Sequence, residues 1–176
     1  MHPTLQTLFN QIEDRREAIL NSFRSLSEEQ LNQRPRDGQW SAAEVLNHLV
    51  TAERLSVAYI QKKVQGLSEL PRTGWWDDFK MGLLIISQRM PGLKFKAPRR
   101  VVENTTRMTS LAEIEVAWKA VREDLKMLLE SLPEQESDRK IYRHPAVGYL
   151  NIRHALIFFR EHLIHHAPQL RALLKS

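Results

Sequence analysis

Apolar side chains recur along this chain in steps of three and four, the spacing of one helical face. From Pro3 to about Arg24, residues Leu5, Leu8, Ile12, Ile19 and Phe23 share a side, and "EDRRE" fills the rest. After it, Ser27 and Gln30 have the spacing of a capping box for a short helical turn, and Pro35 and Asp37-Gly38 break the chain. A second long helix is predicted from "WSAAEV". Ser41 and Glu44 are placed to cap each other's backbone, with Trp40 and Val45 at the two staple positions. Val45, His48, Ala52, Leu55 and Tyr59 continue its inner face, and Gly66 marks its end. A third begins at Ser110, boxed with Glu113. Leu111, Ile114, Trp118, Val121, Leu125, Leu128 and Leu132 form its seam until Pro133. A fourth runs from about Leu150 or Asn151 to Leu174.

Residues 67–108 are the least regular. "ELPRTGWWDDF" reads as a loop, and "DFKMGLLIISQRM" predicts two or three helical turns stopped by Pro91-Gly92. "LKFKAPRRVVENTT" is expected to be extended, because Pro98 restricts the residue before it. Residues 134–149, with "YRHPAVGY", read as a linking loop. There is no internal repeat and no alternation long enough to build a sheet. The expected fold is all-α: one domain over residues 1–176, an antiparallel four-helix bundle with a long connection between its second and third helices. Such a connection admits an order other than up-down-up-down.

Composition narrows the chemistry. The chain has 176 residues, 42% hydrophobic and 27% charged, as in an ordinary globular domain. The longest apolar run, "MGLLII", falls far short of the roughly 18 residues of a membrane span. The N-terminus lacks a basic start followed by an apolar block, so the cytoplasm is the expected location. Cysteine is absent, which excludes disulfides, thiolate ligands and a cysteine nucleophile; a metal would need His, Asp or Glu. The net charge of +5 permits anionic partners without identifying any.

The histidines carry the candidate chemistry. "REHLIHHAPQL" contains His162, His165 and His166. With Ala155 as the origin of a wheel turning about 100° per residue, His162 lies near about −20° and His166 near about 20°, on the face of Phe159 and Leu173. His165 and His154 fall at about −80° and about −100°, at the margin. A lone histidine on an apolar face is most often a satisfied core residue. Two imidazoles at i and i+4 can instead chelate one ion, and His48 on the inner face of the second helix is the candidate third ligand. Three buried imidazoles need partners, since each unsatisfied polar group costs about 1–3 kcal/mol. His144 and His154 are expected in solvent or just behind the ligands. Pro168 removes a hydrogen bond to the carbonyl of Ile164 and predicts a kink after His166.

"WSAAEVLNHL" followed late in the chain by "HLIHHAPQL" resembles the DinB/YfiT-like superfamily of metal-binding four-helix proteins. "LSEEQLNQRP", "KFKAP" and "HPAVGYLNIRHALIFF" resemble further stretches of its DinB-like branch. The resemblance covers the chain from the first helix to the fourth. It implies an up-down-down-up bundle, often a homodimer, and a divalent metal, nickel or zinc. It implies His48, His162 and His166 as ligands, with Gln169 trailing them and His165 in a variable slot; Gln169 and His165 are the candidates to support the ligands from behind. "GWWDDF" matches no motif of the family.

Three neutral imidazoles would leave the metal an open position, the pattern of a catalytic rather than a structural site. Two reaction classes follow: hydrolysis by activated water, and transfer or isomerisation with a low-molecular-weight thiol. The resemblance favours the thiol-dependent class, acting on a small-molecule substrate. No general acid or base is evident: Glu44 is occupied by capping, and Glu161 points away from His162 on the wheel. Trp75, Trp76 and Phe79 either pack the long connection onto the bundle or cover the mouth of a pocket. A different class, a non-catalytic metal- or nucleic-acid-binding stress protein, draws on "KFKAPRR", where Lys94, Lys96, Arg99 and Arg100 surround one aromatic residue. Four charges in a loop are usually a solvated face, and nucleic acid is not the expected partner.

Overall fold

The computed structural model describes residues 1–90 and 99–175. Four long helices form the bundle: α1 (Pro3–Phe23), α3 (Ala42–Val64), α6 (Leu111–Ser131) and α7 (Ile152–Leu173). Shorter ones lie between them: α2 (Glu28–Asn32), α4 (Trp75–Arg89) and α5 (Arg99–Asn104). The starts follow local chemistry. Ser41 Oγ accepts the Glu44 N–H at 3.2 Å, and the Glu44 carboxylate accepts the Ser41 N–H at 2.8 Å. The same reciprocal box opens α2 at Ser27 and Gln30, and α6 at Ser110 and Glu113. Asn151 caps α7 by accepting the His154 N–H. Helix α7 continues through Pro168 to Leu173, so the proline does not end it.

Contacts between helices set the direction of each. On α1 and α7, Gln11 meets Arg160, and Arg15, Ile19 and Ser22 share a groove with Leu163, Ala167 and Leu170, so the two run parallel. Arg24 at the end of α1 meets Glu115 near the start of α6, which is antiparallel to α1. Asn47 bonds the backbone of Met108, and Glu53 meets Trp118 and Arg122, so α3 and α6 run parallel. His48 meets His162, while Ser56, two turns later, meets Tyr142 ahead of α7, so α3 and α7 are antiparallel. The order is up-down-down-up, as expected.

Three expectations need correction. The "GWWDDF" stretch is not a loop: α4 begins at Trp75, and the Asp77 carboxylate accepts the Gly74 N–H at 3.1 Å. The 134–149 segment contains an antiparallel ribbon, β1 (Tyr142–His144) paired with β2 (Gly148–Leu150), turned at Gly148 with φ 80°. Arg99–Asn104 is helical rather than extended. The remainder of the extended stretch, with "KFKAP", lies outside the described residues.

One buried charge group joins three bundle helices. Glu53 is 1% exposed, and its carboxylate accepts the Trp118 Nε1–H and Arg122 Nη2–H, each at 2.7 Å. Arg122, 2% exposed, places Nε 3.1 Å from Glu13 as a charge contact rather than an aligned hydrogen bond. Burial pushes the Glu53 carboxyl upward in pKa, and Arg122 and Trp118 oppose that shift. Removing one partner of such a pair strands the other in a low-dielectric interior. Arg122→Ala is therefore expected to lower unfolding free energy by about 3–5 kcal/mol in urea denaturation; a loss below about 1 kcal/mol would show that Glu53 is solvated or re-paired.

Candidate metal centre

His48 stands nearly two turns inside α3, and its side chain is 6% exposed. His162 and His166 project one turn apart from α7 and are partly buried. The antiparallel crossing of these helices brings one nitrogen from each ring within 4.8 Å of the others, and among the described residues no carboxylate joins the group. Nε2 of His48 faces Nε2 of His162 at 3.3 Å. Two nitrogens each about 2.0–2.1 Å from a tetrahedral cation would stand about 3.3 Å apart. The donor set thus fits a divalent cation in type and spacing.

Burial sets the protonation state. It pushes His48 down to about 4, with the charge of His165 adding to the effect. It pushes His166 to about 4 as well, against the opposing hydrogen bond that His166 donates to Gln169, and His162 lies well below its ordinary value. All three are neutral at pH 7, the form that binds metal. An unfolded histidine takes up a proton below about pH 6.5, whereas His48 and His166 take one up only near pH 4. The metal-free fold therefore loses stability as pH falls across that window. Nδ1 of His166 lies 3.0 Å from Gln169 Oε1, which accepts its proton and leaves Nε2 with a free lone pair.

Aromatic rings wall the cluster. Trp40 packs on His48 with centroids 5.4 Å apart, and Phe158 stacks on His162 at 5.4 Å with planes 15° apart. The sequence marked Trp40 only as a staple and gave Phe158 no role; the i, i+4 step from Phe158 to His162 was the available signal.

Helix α4 holds the ligand-bearing turn from outside. Glu161, beside His162, is 1% exposed and accepts two hydrogen bonds from Arg89, at 2.7 and 2.9 Å, and two from Arg160. These arginines keep its carboxyl ionised, below the usual range, against its burial. His165 Nδ1 donates to the Gln88 carbonyl at 2.9 Å, and its ring lies 5.1 Å from that of His166. Glu44 is occupied as expected, accepting from the Ser41 backbone and pairing with Arg34.

The expectation of solvent for His144 and His154 does not hold. His154 is 1% exposed, bonded through Nε2 to Asp78 at 2.9 Å because α4 covers that side of α7. His144 is 8% exposed on β1, packed on Phe158 with centroids 4.5 Å apart, and so stands one ring behind His162. Trp75, Trp76 and Phe79 do not cover the cluster. They begin α4, whose Asp78 meets His154 two turns before His162, about 12 Å away along the helix. Arg99 and Arg100 are exposed on α5; Lys94 and Lys96 lie outside the described residues. Among the described residues no helix is long and apolar enough to cross a membrane.

Comparison with known proteins agrees with this architecture. The uncharacterized protein YuaE of Bacillus subtilis (strain 168) is 27% identical over 158 residues, covering 87% of this chain and 88% of its own. Among solved structures, YfiT from Bacillus subtilis superposes with a TM-score of 0.64 at 14% identity, over 98% of this chain and 87% of its own. YfiT is described as a probable metal-dependent hydrolase with an unusual four-helix bundle topology. The model of the DinB superfamily matches residues 11–170, nearly the whole chain. The chain belongs to the DinB superfamily.

Proposed function

We propose that this chain is a metal-dependent enzyme in which His48, His162 and His166 hold one divalent cation, nickel or zinc, and a low-molecular-weight thiol attacks a small electrophile. The observation that carries this reading is the convergence of three neutral imidazole donors within 4.8 Å with no carboxylate among them. A cation bound by three neutral ligands keeps its +2 charge and an open position, where it lowers the pKa of water and deprotonates a thiol outright.

The residues around the cluster support one of the two nucleophiles over the other. Metal-assisted hydrolysis commonly draws on a carboxylate as general base. Here Glu44 is held by Arg34 and the Ser41 backbone, and Glu161 by Arg89 and Arg160. A thiol held at such a cation would lose its proton to solvent and would need no such base, which favours the transferase or isomerase class. Trp40 and Phe158 supply apolar walls for a substrate. Hydrolysis is the second reading, supported by the fold shared with YfiT.

Metal-reconstituted protein incubated with a small thiol and an aryl halide is expected to form thioether, with the rate falling at least a hundredfold in His166→Ala. Thiol-independent cleavage of a nitrophenyl ester with the same histidine dependence would establish the hydrolase instead. Rates indifferent to all three histidines would defeat both. Gln169→Leu is expected to weaken metal affinity about 10–100-fold in a chelator competition, because the His166 ring loses the acceptor that fixes its tautomer. Unchanged affinity would remove Gln169 from the site.

A further inference from the structure

His144 has two ring nitrogens, and the fold employs one. The residue ends β1 opposite Gly148, whose φ of 80° closes the turn. Its Nδ1 accepts the Ala146 N–H at 3.2 Å. A ring nitrogen that accepts carries no proton, so in the neutral imidazole the proton sits on Nε2. Burial pushes the ring down to about 4, which makes the neutral form the one present at pH 7. The Nε2–H makes no hydrogen bond with any described residue. It is not sealed off either, since the residue keeps 8% of its surface open. The turn thus holds a fixed N–H donor that has no acceptor among the described residues.

This donor stands at the edge of the candidate site. Its ring packs on Phe158 with planes 67° apart, and Phe158 stacks in turn on His162. His144 is close enough to His162 for a charge on one ring to be felt at the other. A molecule the size of one aromatic ring, lying along Phe158 with its reacting carbon at the cation, spans that separation. We propose that the Nε2–H of His144 binds an uncharged carbonyl oxygen of the substrate and so selects electrophiles that carry one. The inference rests on reading the histidine cluster as a site for a small electrophile.

The surroundings favour an uncharged acceptor. Strand alternation turns Arg143 to the opposite face of β1, where its guanidinium lies 5.6 Å from the Tyr149 ring. Among the described residues no basic side chain touches the His144 ring. A carboxylate or phosphate there would lose its water against Phe158 with no counter-charge beside it. A neutral N–H and a neutral carbonyl oxygen satisfy each other without that cost. A purely structural role accounts for Nδ1, which holds the turn, and leaves the donor on Nε2 without a purpose.

Heteronuclear NMR of the imidazole N–H groups in the zinc-loaded full chain tests this. Acetophenone is the probe, and α-methylstyrene, with a methylene group in place of the carbonyl oxygen, is the control. The His144 Nε2–H resonance is expected to move downfield with acetophenone and to stay in place with α-methylstyrene. His144→Asn keeps an acceptor for the Ala146 N–H and removes the donor. It is expected to weaken acetophenone binding about fivefold while α-methylstyrene binding and zinc affinity stay unchanged. His144→Gln, whose amide N–H reaches the Nε2 position, is expected to restore acetophenone binding to within about twofold of wild type. The proposal is overturned if acetophenone leaves the wild-type resonance in place or if His144→Asn weakens both ligands alike. It is equally overturned if benzoate moves the resonance further than acetophenone does. Should His144→Asn not fold, the wild-type resonance alone decides. No turnover enters these measurements, so a protein that passes them yet joins no thiol to an aryl halide keeps the His144 site and loses the transferase reading.

Discussion

The antiparallel contact between α3 and α7 places one histidine of the first helix against two of the second, and the candidate chemistry depends on that contact. The interior there is dry enough to keep all three rings neutral. Neutral rings can accept a cation without first releasing protons at pH 7. The same desolvation makes a charged group costly, and among the described residues the centre contains imidazoles and no carboxylate. Whatever tilts α7 against α3 moves the donors apart, and the rest of the molecule holds that relation fixed.

Two buried charge groups do so. Glu53, between Trp118 and Arg122, ties α3 to α6 between one and two turns beyond His48. Glu161, between Arg89 and Arg160, ties α7 to α4 next to His162, and Arg160 reaches Gln11 on α1. Each carboxylate is 1% exposed and fully engaged. Such groups add little net stability relative to a well-packed apolar alternative. Their geometry is directional, however, and α7 carries its bond at the turn that bears the ligands. Structure and function meet in α4, which sits outside the four-helix square yet touches residues adjacent to two of the three donors.

The sequence revealed what local rules govern. Ser41–Glu44 and Ser110–Glu113 fixed helix starts, because a capping box involves four consecutive residues. His48, His162 and His166 were recognisable because each lies on the apolar stripe of its own helix. Helix α4 was less legible: its N-cap is Gly74, which has no side chain, and its apolar residues occupy two faces, so the amphipathic signal blurs. The strands Tyr142–His144 and Gly148–Leu150 are too short for an alternation to register. His154 was misplaced for a related reason. A wheel with one inner face sends Glu161, His154 and His165 toward solvent, but α4 covers that side, and no pattern within α7 announces a neighbour supplied from elsewhere in the chain.

X-ray absorption on protein purified without an affinity tag and loaded with one equivalent of zinc or nickel tests the central claim most directly. The account predicts three imidazole nitrogens at about 2.0–2.1 Å in the zinc form, falling to two in His48→Ala. A cation lost on dialysis, or one bound by fewer than three imidazoles and unaffected by His48→Ala, would contradict it.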